Sequence, residues 1–403
     1  MGTVPLSLEQ FLPDDAYAGT LVGRAWIPIP TPTPGEVAGP AVVAIREGGV
    51  YDISEIAPTM CDLLEQPNAA ASVKAARGTK IATVEELVGN SGNGRFNPRK
   101  PYLLAPCDLQ VIKAAGVTFA SSLIERVIEE QARGNPARAE AVRKQVVALI
   151  GENLRTVKPG SPQAMQIKQV LIEQGLWSQY LEVGIGPDAE VFTKAPVLSS
   201  VGSGADIGIH PDSAWNNPEP EIVLAVNSRG EVAGVALGND VNLRDFEGRS
   251  ALLLPKAKDN NASCAIGPYI RLFDATFSMD DVRRSTVDLL VEGPDGFTLR
   301  GTSSMTEISR DPLDLVTAAM GRYHQYPDGM MLFLGTMFAP TEDRAEPGSG
   351  FTHKVGDIVR ISSAKLGALV NRVEHCDRIT PWTFGLRALL ARQAACRKAE
   401  LKS

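Results

Sequence analysis

Residues 218–240 read PEPEIVLAVNSRGEVAGVALGND, which is the pattern of a β-hairpin with acidic residues at the ends of the strands away from the turn. Two apolar runs flank the turn-forming sequence Asn-Ser-Arg-Gly, as expected for paired antiparallel strands. Because alternate residues of a strand share a face, Glu219 and Glu221 project together, about 7 Å apart along the backbone. The hairpin therefore places two carboxylates side by side.

The register of the predicted hairpin brings a third carboxylate to the same face. With a two-residue loop, Glu221 faces Ala236 and Glu219 faces Gly238. Asp240 then lies one same-face step further, beside both glutamates. A bulge near the turn would shift the pairing by one residue and break this inference.

Three like charges on one face of an apolar hairpin repel one another unless a cation neutralises them. Carboxylate oxygens are hard ligands, which suit Mg²⁺, Mn²⁺ or Ca²⁺ better than Zn²⁺. We therefore predict that Glu219, Glu221 and Asp240 bind a divalent metal, with Mg²⁺ as the expected cofactor and Mn²⁺ or Ca²⁺ as substitutes. The spacing alone is also compatible with an exposed strand end whose acids are solvated.

Composition excludes several classes of partner. The 403 residues carry a net charge of −7 and are 44% hydrophobic, which argues against nucleic acid as the main partner. No apolar run approaches the ~18 residues of a membrane span, and no basic segment precedes an apolar core at the N-terminus. The five cysteines are scattered and never form a Cys-x-x-Cys pair, as is typical of a reducing compartment. We therefore expect a cytoplasmic protein without a membrane partner.

Turn and linker signals divide the chain into two predicted domains. Residues 89–100 are rich in Gly, Asn and Pro, so we predict a small β-rich domain over 1–100 and a larger domain over 101–403. Helices are predicted at 60–64, 121–150, 162–174 and 312–325. Strands are predicted at 41–45, 50–53, 182–185, 190–194, 221–226, 231–237, 268–273, 285–291, 296–300, 330–335 and 357–361. This pattern predicts an α+β fold that is mostly β.

Four separate segments, in this order and spacing, resemble the fumarylacetoacetate hydrolase family. The Pro-Glu-Pro-Glu strand is followed by Gly-Asn-Asp-Val-Asn-Leu-Arg-Asp at 238–245. Lys258 then lies nine residues before the Gly-Pro pair at 267–268, and Leu-Gly-Thr follows at 334–336. The resemblance covers about residues 105–390.

The resemblance implies a β-roll catalytic domain, and family members are commonly homodimers. It assigns metal binding to Glu219, Glu221 and Asp240, the trio that the hairpin pattern selects independently. It places the family lysine at Lys258 and the family Gly-Thr pair at Gly335 and Thr336.

The chain departs from many hydrolases of the family near the start of the catalytic domain. Those enzymes carry a His and a Glu that activate water, whereas residues 116–130 contain no histidine. This difference opposes hydrolysis of a carbon–carbon bond. The sequence instead resembles the branch of the family that dehydrates 2-keto-3-deoxypentonates derived from D-xylonate or L-arabinonate. The residues that carry this resemblance are Ser122, Arg126, Glu129, Ser303 and Ser304.

The resemblance implies a metal-dependent lyase that converts a small 2-keto-3-deoxy sugar acid to 2,5-dioxopentanoate. A divalent metal favours enolate formation at a 2-keto acid, and positioned groups move the protons as water is lost. The predicted catalytic residues are Lys258, Glu129, Glu125 and Ser122. The predicted substrate-binding residues are Arg126, Gly335, Thr336, Ser303 and Ser304.

Three other interpretations remain open from the residues alone. Glu and Arg at short helical spacing, as at 125–129, commonly form a salt-bridged helix surface. A hydrolase of acylpyruvate-type diketo acids would place a His–Glu pair over the metal. A non-catalytic module would use the acidic trio as a structural calcium site, although the sequence lacks an EF-hand loop.

Overall fold

A computed structural model of the chain describes residues 6–29, 38–92, 96–133, 135, 138–139, 157–173, 177–338, 340–344 and 350–400. The strands are β1 (Thr20–Ile27), β2 (Gly39–Arg46), β3 (Gly49–Asp52), β4 (Thr79–Ala82), β5 (Tyr102–Leu104), β6 (Val111–Ala115), β7 (Val191–Ala195), β8 (Asp206–Ile209), β9 (Asn216–Asn217), β10 (Pro220–Val226), β11 (Val232–Asp240), β12 (Asn242–Leu243), β13 (Cys264–Leu272), β14 (Thr286–Glu292), β15 (Thr298–Ser304), β16 (Met330–Phe333), β17 (Ile358–Ser363) and β18 (Gly367–His375). The α-helices are α1 (Leu8–Phe11), α2 (Met60–Leu64), α3 (Ala69–Ala75), α4 (Val84–Ser91), α5 (Ala120–Ala132), α6 (Pro162–Glu173), α7 (Gln179–Ile185), α8 (Arg244–Glu247), α9 (Leu254–Lys258), α10 (Met279–Arg283), α11 (Pro312–Ala319) and α12 (Leu386–Glu400).

Two sheets carry most of the architecture. The larger has the strand order β4-β3-β2-β1-β13-β11-β10-β16-β6-β7, with β5 also paired to β1, and the smaller has the order β15-β14-β17-β18-β8. The pairs β16–β6 and β18–β8 are parallel, and the other neighbours are antiparallel. The α+β, mostly β class predicted from the sequence is confirmed. Among the described helices, none is both long and apolar enough to cross a lipid bilayer.

The central hairpin, β10 and β11, is buried on both faces. Ile222 and Leu224 face the smaller sheet and join a core that includes Leu289. The alternate residue Val223 joins a second core with Met60 of α2. A strand covered on both sides is apolar throughout, so carboxylates at the ends of this hairpin are exceptional and need a specific reason.

The N-terminal strands extend the larger sheet. Thr20 of β1 pairs with Leu272 of β13, and β2, β3 and β4 follow outward from β1. The first hundred residues therefore share a sheet with the rest of the chain. The domain boundary near residue 100 stays a prediction.

Two of the predicted elements differ from the structure. Residues 182–185, predicted as a strand, lie in α7, whose N-terminus is capped by the Ser178 hydroxyl as it accepts from Leu181 N. A short apolar run does not by itself distinguish a buried strand from a helix. The helix predicted over 312–325 ends at Ala319, shortly before Gly321. The helical pattern over 121–150 is borne out to Ala132, and residues 140–156 lie outside the described part of the chain.

Candidate metal centre

The hairpin register brings the acidic residues together, although not through the predicted pairing. The closing pair is Asn227–Glu231, which leaves a loop of three residues rather than two. A bulge next to Val226 adds one further residue to the second strand. Either change alone would turn the acids to opposite faces, but together they shift the register by two residues and restore the shared face.

The corrected register sets Glu221 opposite Gly238 and Asp240 directly opposite Glu219. The Asp240 N–H donates to the carbonyl oxygen of Glu219 at 3.1 Å. A side chain at Gly238 would collide with the ring of Phe333, so glycine is required for the close approach of β16 to the hairpin.

The three predicted metal ligands form one buried cluster. Glu219, Glu221 and Asp240 are each 1% exposed, and one carboxylate oxygen of each lies within 4.8 Å of the others. The Gly335 N–H donates to Oε2 of Glu221 at 2.7 Å, and the Thr336 hydroxyl lies 3.5 Å from its Oε1. Gly335 can turn its N–H inward because it adopts φ +103°, a conformation that L-residues rarely take. The structure thus brings the Gly-Thr pair onto a predicted metal ligand.

Two lysines bracket Asp240. Lys258 Nζ lies 3.0 Å from Oδ2 of Asp240 and 2.6 Å from Oε2 of Glu219. Lys194 Nζ lies 2.8 Å from Oδ1 of Asp240 and also donates to the backbone carbonyls of Val241 and Lys258. An ammonium group has three N–H donors, so Lys194 is fully engaged, whereas the hydrogen bonds of Lys258 among the described residues go only to carboxylates of the predicted metal site.

The charges of the cluster are unevenly compensated. Burial acts to raise the pKa of Glu219, but the charges of Arg126 and Lys258 outweigh burial and lower it to about 2. Burial, together with the charges of Asp240 and Glu219, raises the pKa of Glu221 well above its ordinary range. Within the described residues Glu221 forms no ion pair and accepts only from Gly335 and Thr336. Glu221 is therefore a buried acid without a counter-charge.

This donor set fits a divalent cation. A buried carboxylate that lacks a counter-charge is costly to ionise, and a divalent ion among the three carboxylates would supply that charge. All three donors are carboxylate oxygens, the ligand type preferred by Mg²⁺, Mn²⁺ and Ca²⁺. Glu219, Glu221 and Asp240 are the residues that would hold the ion.

Arg126 links the cluster to a second set of acids. Its guanidinium forms ion pairs with Glu219, with Oε2 of Glu129 at 2.5 Å and with Oε2 of Glu247 at 3.2 Å. Glu129 is also paired with Arg244 Nε at 2.8 Å. Both oxygens of Glu129 thus face guanidinium groups, which favours a role in holding Arg126. The proton-transfer role of Glu129 and the substrate-binding role of Arg126 stay predictions.

A cavity of about 130 Å³ adjoins this network. Its wall includes Tyr180 of α7, Glu247 of α8 and Glu190, which directly precedes β7. Burial, followed by the charge of Glu247, raises the pKa of Glu190 to about 7. In the described structure Glu190 forms no ion pair, so its carboxyl group is available in the cavity.

The remaining predicted residues lie farther from the carboxylates. The Ser122 hydroxyl donates to the carbonyl of Phe119 at 2.9 Å. Glu125 is half-buried and bonds to none of the three predicted ligands. Ser303 donates to the carbonyl of Met337 at 3.2 Å, and the Ser304 hydroxyl accepts from Thr306 N at 3.2 Å. Their catalytic and binding roles stay predictions.

Sequence reasoning missed Lys194, Glu190, Arg244 and Glu247 as parts of this network. Lys194 and Glu190 fall within the predicted strand 190–194, but nothing in that run of sequence marks either charge as buried. Arg244 lies inside the segment 238–245 that carries the family resemblance, and Glu247 lies two residues beyond it, on a helix of only four residues. Nothing in their local pattern separates them from a solvated helix surface.

Two curated relatives match about half of the chain. A 2-dehydro-3-deoxy-D-arabinonate dehydratase from Saccharolobus solfataricus is 31% identical over 194 residues, covering 47% of this chain and 60% of the relative. A probable 2-keto-3-deoxyxylonate dehydratase from Haloferax volcanii is 29% identical over 201 residues, covering 50% of this chain and 65% of the relative. The match therefore spans less than two thirds of the length of either relative.

A solved structure and a family model agree with this likeness. The 2-keto-3-deoxy-D-arabinonate dehydratase complexed with magnesium and 2,5-dioxopentanoate has a TM-score of 0.58 at 19% identity, covering 88% of this chain and 99% of that chain. This likeness confirms the predicted fold. The model of the fumarylacetoacetate (FAA) hydrolase C-terminal family matches residues 176–374, which include β10, β11, Lys258 and Gly335. The family resemblance predicted from the sequence is therefore confirmed over residues 176–374.

Proposed function

We propose that this protein is a divalent-metal-dependent dehydratase, a lyase that converts a 2-keto-3-deoxypentonate to 2,5-dioxopentanoate. The observation that carries the proposal is the buried trio of carboxylates with Lys258 bonded to two of them. The names of both curated relatives, and the magnesium and 2,5-dioxopentanoate in the similar solved structure, support this reaction and this metal.

The reaction needs stabilisation of negative charge at the keto group. A divalent cation bound by the trio would supply Lewis-acid stabilisation as the C3 proton leaves. Burial acts to lower the pKa of Lys258, but the charges of Asp240 and Glu219 outweigh burial and raise it. The ammonium group of Lys258, bonded to Glu219 and Asp240, would supply a second positive charge beside that cation.

Glu190 is the group best suited to move the proton. A general base works best when its pKa lies near the working pH, and burial raises the pKa of Glu190 to about 7. In the proposed reaction Glu190 takes the C3 proton, and the hydroxyl on C4 leaves as water after it gains a proton. The resulting C3–C4 double bond is conjugated with the keto group. Loss of a C5 proton and gain of one at C3 then move the double bond to C4–C5, and the resulting enol becomes the C5 aldehyde as C4 gains a proton and the hydroxyl loses one.

The histidines favour dehydration over hydrolysis of a diketo acid. All four histidines lie in the described part of the chain, and none bonds to Glu219, Glu221 or Asp240. The buried one, His353, is paired with Asp357 instead. A water-activating His–Glu pair over the metal is thus not found among the described residues. A purely structural calcium site would leave the buried Lys258 without a role.

The product distinguishes these functions. Purified protein, Mg²⁺ and either the D- or the L-configured 2-keto-3-deoxypentonate should give one product that is lighter by a single water and carries an aldehyde. Mass spectrometry after trapping with a hydrazine reagent measures both properties. Two smaller fragments from an acylpyruvate substrate, with no reaction of the pentonate, would contradict the proposal and support the hydrolase.

Cellular location and assembly are proposed on separate grounds. All five cysteines are described and carry free thiols, which supports the predicted cytoplasmic location. A homodimer follows from the family resemblance alone, and light scattering at micromolar concentration tests it.

A further inference from the structure

Arg310 makes an unusual set of hydrogen bonds. Its Nη2 donates to the backbone carbonyls of Val183 at 2.9 Å, Gly186 at 2.8 Å and Asp188 at 3.3 Å. Its Nη1 donates to the carbonyl of Pro187 at 3.4 Å. These four carbonyls cover the C-terminal end of α7 and the short turn that leads toward β7. Among the residues that the structure describes, the guanidinium thus binds a backbone segment and no acidic side chain.

The chemistry of a helix end explains this arrangement. The last carbonyls of a helix have no intrahelical partner and carry partial negative charge. A guanidinium presents five N–H donors in a planar fork, so one side chain can satisfy several of these carbonyls together. The Gly160 N–H also donates to the carbonyl of Ile185 at 2.9 Å, so Arg310, with four hydrogen bonds, is the larger of these two attachments.

The segment held by Arg310 is a wall of the cavity that Glu247 lines, and Glu247 is linked to the predicted metal ligand Glu219 through Arg126. Gln179, Tyr180 and Val183 of α7 line this cavity, and Glu190 follows at the far end of the turn. Val183 contributes to both features, since its side chain lines the cavity while its carbonyl accepts from Arg310. Movement of the turn would thus displace Tyr180 and Glu190 together.

The residue before Arg310 holds a second wall of the site. The N–H and the hydroxyl of Ser309 both donate to the carbonyl of Thr118 at 2.8 Å. Phe119 forms an isolated β-bridge with Ile308, and α5, which carries Arg126, begins at the next residue. Residues 308–310 therefore connect the start of α5 to the end of α7.

We infer that Arg310 is a positioning residue that fixes α7 and the following turn so that Glu190 and Tyr180 face the reacting end of the substrate. The inference rests on the proposed dehydratase function, because it assigns Glu190 to proton transfer. Arg310 itself does not contact the three metal ligands. Its effect reaches the chemistry through the backbone that it holds.

The decisive variant is Arg310→Met, which removes all five donors and keeps much of the side-chain volume. Arg283→Met is the matched control, because Arg283 pairs with Asp311 next to Arg310 and is 37% exposed, without touching α7. Hydrogen exchange followed by mass spectrometry should show amides over 181–189 exchanging ~10-fold faster or more in Arg310→Met. The control should match the wild type.

The same variants separate a positioning role from a purely structural one. A displaced proton carrier should lower kcat by ~10- to 100-fold, with a smaller change in KM. The acid limb of the pH profile should also move to lower pH, because water entering around Glu190 removes part of the burial that raises its pKa. Glu247, Arg126, Lys258, Glu219 and Tyr180 are the charged and titratable groups around Glu190, and none of them is altered.

The inference would be overturned if the amides over 181–189 exchange as slowly in Arg310→Met as in the wild type. It would also be overturned if they exchange faster while kcat and the pH profile are unchanged. If Arg310→Met does not fold, Arg310→Gln, which keeps two donors, is judged by the same criteria. A wild-type protein that leaves the pentonate unreacted would refute the proposed function instead. The exchange experiment needs no substrate, so the two failures are distinguishable.

Discussion

Two buried clusters of charge in the described part of the chain differ in how completely their charges are paired. Around Asp357, the guanidinium of Arg344 lies at 2.5 and 2.6 Å, His353 Nδ1 lies at 3.0 Å and the Lys354 N–H donates at 3.0 Å. Around Glu221, one backbone N–H and one hydroxyl are the only hydrogen-bond donors among the described residues. Both carboxylates are buried, but only Asp357 has a counter-charge in contact.

The difference separates a structural cluster from a candidate ligand site. Burial acts to raise the pKa of Asp357, but hydrogen bonds from Arg344 and His353 outweigh it and lower the pKa. Burial and neighbouring acids raise the pKa of Glu221, and no charged group bonded to Glu221 opposes them as Arg344 and His353 do at Asp357. A paired buried charge needs no further ligand, whereas an unpaired one marks a candidate site for a cation.

The largest expected effect comes from removing a ligand charge from the unpaired cluster. Glu221→Gln keeps the shape of the side chain and can still accept from the Gly335 N–H. Because a bound divalent ion stabilises the transition state by several kcal/mol, turnover should fall ~1000-fold or more. Steady-state kinetics with Mg²⁺ and calorimetric titration with Mn²⁺ measure the loss of activity and of metal affinity. Glu219→Gln and Asp240→Asn should lose activity similarly.

Stability distinguishes Glu221→Gln from an ordinary core substitution. Without metal, the variant should unfold at the same urea concentration as the wild type or a higher one, because it removes repulsion from Asp240 and Glu219. Full activity of the wild type after exhaustive treatment with a chelator would contradict the metal assignment. A large loss of stability in the metal-free variant would contradict the contrast drawn between the two clusters.

The next effect tests the paired cluster. Asp357→Asn leaves Arg344 and His353 buried without their anion, and breaking a buried ion pair in this way costs about 3–5 kcal/mol. Urea unfolding monitored by circular dichroism measures the change. Asp288→Asn, at an exposed site on β14, is the control and should have little effect. An Mn²⁺ affinity that falls in Asp357→Asn as it does in Glu221→Gln would show that the clusters are not independent.

The same contrast explains how much of the site could be predicted from the sequence. Glu219, Glu221 and Asp240 were identified because acids interrupt strands that are otherwise apolar, and that signal is local. The predicted register was wrong by two residues, because neither the three-residue loop nor the bulge beside Val226 has a strong signature in this sequence.

The partners of the acids could not be predicted from spacing. Arg126 is 93 residues from Glu219, and Lys258 is 39 residues from it. Only the family resemblance drew attention to both. Lys194 and Glu190 belong to no motif, and their importance depends on which side chains pack against β7. The fold was predicted better than the site because alternation and turn residues report on strands, whereas pairing of charges depends on tertiary contacts.

Lys258 differs from Glu221 although both belong to the candidate metal centre, because Lys258 is paired with Glu219 and Asp240 whereas Glu221 has no counter-charge. Lys258→Met removes the positive charge beside Glu219 and Asp240 and should lower turnover about 100- to 1000-fold, the range for one electrostatic group that stabilises developing charge. Lys256→Met is the matched control, because Lys256 lies on the same helix and is exposed. Turnover within a few-fold of the wild type would remove Lys258 from the proposed chemistry.

The smallest expected effect concerns Glu190, an unpaired acid that we assign to proton transfer. Ionised Glu190 is the active form, so kcat/KM of the wild type should rise with pH up to about 7, the value to which burial raises its pKa. Glu190→Gln should lower kcat/KM ~100-fold at neutral pH and remove this inflection. Glu292→Gln, at an exposed position on β14, should retain the wild-type profile.

The pH dependence of the stability of Glu190→Gln gives an independent check on the direction in which the pKa of Glu190 is shifted. The pKa of Glu190 rises from 4.5 to about 7 on folding, so the folded protein keeps a proton that the unfolded chain releases in this interval. Its contribution to stability is full below pH 4.5 and is lost as the pH rises to about 7. Above pH 7 Glu190→Gln should be more stable than the wild type, because burying a neutral amide costs less than burying a carboxylate. An inflection in kcat/KM that persists in Glu190→Gln would assign the proton transfer to another residue. A wild-type stability that does not fall between pH 4.5 and 7 relative to the variant would contradict the raised pKa of Glu190 on which that assignment depends.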